Sequence, residues 1–300
     1  MAGPRLIIEP PSFASSSYGL LSVVQTPDVS SPHWQNGVTW QSRCMEAGMG
    51  ASTYDECIAI TGVGAVPDPS QKVHNVHQVL RAATPFTPLT RFDCSPVGLG
   101  DASALAQAAL AQSETWQVER AFWTGLVDGK PLAFPHLAAN ADVFDPQGGA
   151  QLQSAATVVT SGTAVDVATG LGLLEEGLAN CYNGQGVIHV PARVLPTLDM
   201  HGIIRVEGGH LETLRGNLVS VGGGYPGTSP AGATAAAGEA WIYATGAVFL
   251  LRGDVRILPT TPDSFDRSTN TVQQIAERTY VLGWDCCHVA AQVHFGVPVT

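Results

Sequence analysis

His74 and His77 stand three residues apart, and Cys44, Cys57 and Cys94 fall within a stretch short enough to share one hairpin. Histidine nitrogen and cysteine sulfur are the raw material of a zinc site. Zinc, however, takes four ligands in tetrahedral order, usually with a paired CxxC-type spacing, and the chain has no such pair. Cys286, Cys287 and His288 are consecutive; on a strand their side chains alternate between faces and cannot chelate together. Gly222-Gly223-Gly224 lacks the lysine and the strand-to-helix setting of a phosphate loop. No Gly-x-Ser-x-Gly elbow occurs. Glu175 and Glu176 adjoin on a helical pattern and read as its solvated face, and His189, inside an apolar run, reads as a core histidine. Arg252-Gly253-Asp254 reads as a turn. The expectation is no catalytic constellation, no metal and no cofactor.

Composition says what kind of surface carries these residues. Of 300 residues, 45% are hydrophobic, enough for a large core, but only 13% are charged, against roughly a quarter in ordinary globular domains. A lone soluble chain usually carries more surface charge, so much of this surface is expected to be covered by copies of the chain. The formal net charge is −11, and Lys72 and Lys130 are the only lysines. A nucleic-acid binder needs a basic patch to neutralise phosphates; no Lys/Arg cluster appears, so specific DNA binding is not expected. No apolar stretch approaches the ~20 residues of a membrane span. The first residues lack a basic segment followed by a long apolar run, so no export signal is expected. The six cysteines, Cys44, Cys57, Cys94, Cys181, Cys286 and Cys287, are then expected as reduced thiols rather than as a disulfide framework.

Prolines at 4, 10 and 11 and the serine run at 15–17 describe an extended arm, and the Pro/Gly-punctuated residues 44–99 describe a protruding loop with its own hairpin. The first helix is predicted over residues 102–124, capped by Asp101, with Leu105, Trp116 and Phe122 inward and Gly125 ending it. A second is predicted over residues 164–182, capped by Thr163, with Val167, Leu171, Leu174 and Leu178 as its buried stripe. Residues 186–190 read as a central strand, and residues 207–221 as hairpin material. Residues 270–282 read as one long strand, turned by Gly283-Trp284-Asp285 into a closing strand whose Val289, Ala291, Val293 and Phe295 share a face. Glu114 and Glu119 lie five apart, on different faces of the first helix.

Several short patterns then coincide. Residues 113–125 hold Glu114 and Glu119 ahead of a glycine turn; the helix over 173–182 feeds Val187-Ile188-His189-Val190-Pro191; Gly216-Asn217-Leu218-Val219 precedes Gly222-Gly223-Gly224-Tyr225; Ile275-Ala276-Glu277-Arg278 places an acid beside an arginine on a long strand; and Ala290-Ala291 sits in the closing strand. From about Arg91 onward the chain resembles the major capsid proteins of tailed bacteriophages, the Hong Kong 97-like fold shared with encapsulin shells. Its style is that of phages infecting actinobacteria. The resemblance implies an α+β fold. Its parts would be an N-terminal arm (1–50), an extended hairpin loop (51–99), a peripheral domain with a long spine helix (100–160), an axial domain (161–250) and return strands of the peripheral domain (251–300). It implies a structural, non-enzymatic protein assembled in the host cytoplasm and residing in the virion. There it would contact copies of itself as hexamers and pentamers, along with decoration, scaffolding and portal proteins, and enclose DNA. Glu114, Glu119 and Arg278 are the expected intersubunit ion-pair residues. Some members cross-link a lysine to an asparagine; Lys72 is the lysine of the extended loop, with neither partner asparagine nor glutamate identified. Two alternatives stand beside it: an encapsulin-like cellular shell, and a soluble cupin-like metal protein using His189, His210 and His288.

Overall fold

The computed structural model describes residues 17–42, 79–94, 102–182, 184–259, 265–266 and 268–296. Lys72, His74, His77, Cys44, Cys57 and the cap at Asp101 lie outside them, as does the side chain of Cys94.

The molecule is built on an eight-stranded mixed sheet. Its order is Val165–Asp166, His288–His294, Glu239–Thr245, Val187–Pro191, Leu218–Gly222, His210–Thr213 and Ile204–Glu207, with Thr157–Val158 also beside His288–His294. The Val187–Pro191 strand is buried throughout. It runs parallel to Leu218–Gly222 and antiparallel to Glu239–Thr245. Alternate residues supply two cores, because a strand's side chains point to opposite faces. Ile188, Val190, Ile242, Ala244, Val289, Ala291 and Val293 pack with helix α2 (Val167–Cys181). Val187, Tyr243 and Ala290 join the second half of helix α1 (Ala102–Thr124), through Val118, Phe122 and Trp123, on the other side.

The first half of α1 lies on a different sheet, in which Thr271–Glu277 pairs with Leu89–Cys94, Arg256–Leu258 and Phe265–Asp266. Ala106 and Leu110 pack there against Ala276 and Ile257. A third sheet has Tyr280–Trp284 at its centre, paired with Val248–Arg252 on one side and with Pro85–Phe86 on the other. Helix α1 therefore bridges separate sheets along its length.

Five sequence expectations are corrected. Residues 270–282 do not form one strand: the chain leaves one sheet at Glu277 and joins another at Tyr280. At the break Arg278 N donates to Pro88 O at 3.3 Å and Thr279 O accepts from Gly253 N at 2.9 Å. Gly283 and Trp284 stay in the strand; the reversal comes afterwards, where Cys286 takes φ +61°. Helix α2 begins later than expected, because Val165–Asp166 pairs with Val293 and His294 and so is held extended. Its cap is Asp166, whose Oδ1 accepts from Thr169 N at 2.9 Å, not Thr163. In α1, Leu105 (39% exposed) and Trp116 (50%) face outward, while Glu114 and Glu119 lie on the buried face. The apolar spacing misled because the inward row itself contains acids. Finally, Cys181 and Cys287 are joined as a disulfide, their Cα atoms 5.8 Å apart. No described helix is long and apolar enough to cross a membrane.

Candidate assembly site

The middle of α1 carries the charged residues that the sequence singled out. Glu114 is buried, and three side chains converge on its carboxylate. Arg278 Nη1 lies 3.0 and 3.2 Å from its two oxygens, Arg252 Nη2 donates to Oε2 at 2.9 Å, and the Tyr280 hydroxyl donates to Oε1. Burial, reinforced by the hydrogen bond to and charge of Glu114, holds the Tyr280 phenol well above its usual range, so it stays a donor. Arg252 ends one strand, Tyr280 begins its partner, and Arg278 sits at the break between sheets. One carboxylate thus ties α1 to two paired strands and to the link at which the chain changes sheets.

Glu119 does different work. Its Oε1 accepts from Leu20 N at 3.1 Å and its Oε2 from Gly224 N at 2.9 Å. Burial raises its pKa, and the backbone N–H groups of Gly224, Leu20 and Gly223 oppose that rise. The loop after Leu218–Gly222 comes so close that a Cβ on Gly224 would stand 2.3 Å from Trp116 O and 2.9 Å from Glu119 Cβ. Only glycine permits this approach. Both glutamates are therefore engaged inside their own chain, and the arginine expected to bridge from another subunit reaches Glu114 of the same one. Lys72 lies outside the described residues.

The histidines of the metal alternative are not gathered. His189 Nε2 lies 3.0 Å from Thr245 Oγ1, and burial lowers its pKa to about 3. His288 is wedged between Ser154 O (2.9 Å) and Leu137 O (2.8 Å), and burial lowers it to about 4. His210 begins a strand near the sheet's far edge. Among the described residues no group of three or more His, Cys, Asp or Glu could hold a metal ion. Glu175 is not on a solvated face. Thr213 Oγ1 donates to it at 2.5 Å and Asn217 Nδ2 at 2.9 Å, tying α2 to the hairpin; Glu176 is exposed.

What remains on the outside is apolar surface. A groove of about 690 Å³ runs along α1, between Trp116 and Arg120 on the helix, Pro88 and Leu89 on one wall, and Leu126 on the other. Arg120 lies over the Trp116 ring at 5.6 Å from its centroid. Three further large apolar side chains, Met200, Val206 and Leu214, are exposed in and beside the Ile204–Glu207 and His210–Thr213 strands at the edge of the large sheet. The groove was not legible in the sequence, since it is assembled from separate segments.

No protein-family model matches the sequence, and no curated protein does either. Solved structures match nearly end to end. The capsid of an empty GTA particle, computed with C5 symmetry, aligns with a TM-score of 0.55 at 13% identity, over 98% of this chain and 95% of that one. A chain of Microbacterium phage Oxtober96 aligns at 0.52 and 13% identity, over 98% and 96%. The capsid of a native GTA particle aligns at 0.50 and 10% identity, over 98% and 95%. The chain has the Hong Kong 97-like capsid fold. Within that capsid fold, the Glu114 and Glu119 contacts add to the apolar packing that holds α1 across its sheets, and the Trp116 groove is the open face of the same helix.

Proposed function

We propose that the chain is the major capsid protein of a tailed bacteriophage, one whose host is an actinobacterium, and that copies assemble as pentamers and hexamers into an icosahedral head enclosing double-stranded DNA. The observation that carries this is the end-to-end likeness to the capsid of a GTA particle. The charge balance supports it: with a net charge of −11 the protein neutralises few phosphates, so packaged DNA is enclosed without being gripped. So does the exposed apolar surface. Trp116, Leu89 and Leu126 on one side and Met200, Val206 and Leu214 on another are large side chains on a sparsely charged exterior, and neighbouring copies are what cover them.

In this reading residues 1–50 are the arm, 51–99 the extended loop and 100–160 with the strands from 251 on the peripheral domain, while 161–250 are the axial domain, whose large sheet also takes in the closing strand His288–His294. Decoration, scaffolding and portal proteins are the remaining virion partners, and assembly takes place in the host cytoplasm. The test is to purify the chain and follow it by light scattering and electron microscopy across salt and concentration. Closed shells are expected. A chain that stays monomeric and stable under every condition overturns the reading.

A further inference from the structure

Helix α2 lies against the His288–His294 strand along one line of contacts. A Cβ on Gly170 would stand 2.3 Å from Val293 Cγ1, and one on Gly177 would stand 2.9 Å from Val289 Cγ1. The third contact on the line is covalent: Cys181, the last residue of α2, is bonded to Cys287, just ahead of the strand. As the helix advances from 170 to 177 to 181, its partners recede from 293 to 289 to 287. The first two steps are glycines that let helix and strand touch. The last is two sulfurs, joined across 106 residues of sequence. The valines seated at the two glycines set the register by close packing, and the covalent bond fixes the end of the same line.

We propose that Cys181 and Cys287 are a thiol–disulfide couple that clamps α2 onto this strand, open as two thiols in a reducing compartment and closed in an oxidising one. The surroundings set how it closes. Cys287 is 5% exposed, whereas Cys181 is only half-buried, so a small disulfide reaches Cys181 first. The Cys181 thiolate attacks one sulfur of that reagent and one small thiolate leaves. The Cys287 thiolate then attacks the Cys181 sulfur of the mixed disulfide, and the second small thiolate leaves. Two protein thiols have lost two electrons and two protons; the small disulfide has become two small thiols. The attacking species is the thiolate, so closure quickens as pH rises. Once closed, the bond restrains a long loop of the unfolded chain, the case in which a cross-link stabilises most.

The purified full chain is incubated with excess oxidised glutathione, or with excess dithiothreitol, and each sample is digested without reduction and mapped by mass spectrometry. The oxidised sample is expected to contain the peptide bearing Cys181 linked to the one bearing Cys287, with fragmentation placing the bond on Cys287 rather than on adjacent Cys286. Its unfolding midpoint is expected about 5–10 °C above that of the reduced sample. In Cys181→Ser, and separately in Cys287→Ala, this cross-link disappears and the redox-dependent shift becomes smaller than in wild type. The proposal is overturned if no such peptide pair forms, if Cys181 or Cys287 is found bonded to a different cysteine instead, or if wild type and both variants show the same redox-dependent shift in midpoint. Each readout is taken on the chain itself, and particle formation is scored separately, so failure of the clamp and failure of the capsid reading are distinguishable.

Discussion

Arg278 Nη1 stands 3.0 Å from Glu114 Oε1, across 164 residues of sequence, at the point where the chain passes from one sheet to the next. Both partners are largely shielded, with side-chain exposures of 17% and 8%. Removing one member of a shielded pair leaves an uncompensated charge, which costs about 3–5 kcal/mol. Arg252 and Tyr280 still bond Glu114 when Arg278 is gone, so Arg278→Met is expected to lie at the low end, about 3 kcal/mol in urea unfolding. An unchanged midpoint would show that this pair does not hold the break between sheets.

Trp116 and Trp123 sit seven residues apart on α1 and are expected to behave oppositely. Trp123 is fully buried, its ring edge-on to Tyr243 at 4.9 Å and its Nε1 3.0 Å from Thr228 Oγ1. Trp123→Ala is expected to cost about 3–5 kcal/mol. Trp116→Ala removes a half-exposed ring and should shift unfolding by about 1 kcal/mol or less, while reducing particle yield in an assembly assay. If Trp116→Ala assembles as well as wild type, the groove beside α1 is not a contact between copies.

Stability is expected to fall as the solution is acidified from pH 7. His189 and His288 have folded values of about 3 and about 4, against 6.5 for the unfolded side chain. A depressed folded pKa gives stability that is present above the unfolded value and lost as pH falls towards the folded one. Between about pH 6 and 4 the unfolded chain binds protons that the folded chain refuses, and each histidine contributes a slope of up to about 1.4 kcal/mol per pH unit. Glu119, whose folded pKa is raised above 4.5, acts in the other direction above that value. Denaturant titrations at pH 7 and pH 5 measure the slope, and His288→Asn should flatten it. Equal stability at the two pH values would contradict the burial assigned to both imidazoles.

Gly224→Ala places a methyl against the backbone of α1, which cannot swing aside as a side chain can. The loop must retreat, and with it the Gly224 N–H that Glu119 accepts. A loss of about 1–3 kcal/mol is expected, together with a change in protection of the Leu20 and Gly224 amides, which hydrogen exchange reads directly. Wild-type stability with unchanged protection would remove the role given to Glu119.

Local pattern was enough for part of this protein. The spacing of Val167, Leu171, Leu174 and Leu178 marked α2, the alanine-rich run marked α1, and the apolar run through Ile188 and Val190 marked the strand at the sheet centre, because each of these signals lies within a few turns or residues. The alternation of Val289, Ala291 and Val293 marked the face that packs on α2 in the same way. The scarcity of charge was likewise a property of composition alone. Tertiary structure decided the rest. Glu114 and Glu119 read as surface residues by type, and they became buried because their partners arrive from 99 to 166 residues away. The break at Arg278 was invisible because both halves of residues 270–282 have strand-like sequence, and only the choice of neighbour, Leu89–Cys94 for one and Val248–Arg252 for the other, separates them. The start of α2 shifted because an edge pairing outside the helix held Val165 extended. The approach of Cys181 to Cys287 follows from the same cause: the fold brings together what the chain keeps 106 residues apart, and no short-range periodicity records it.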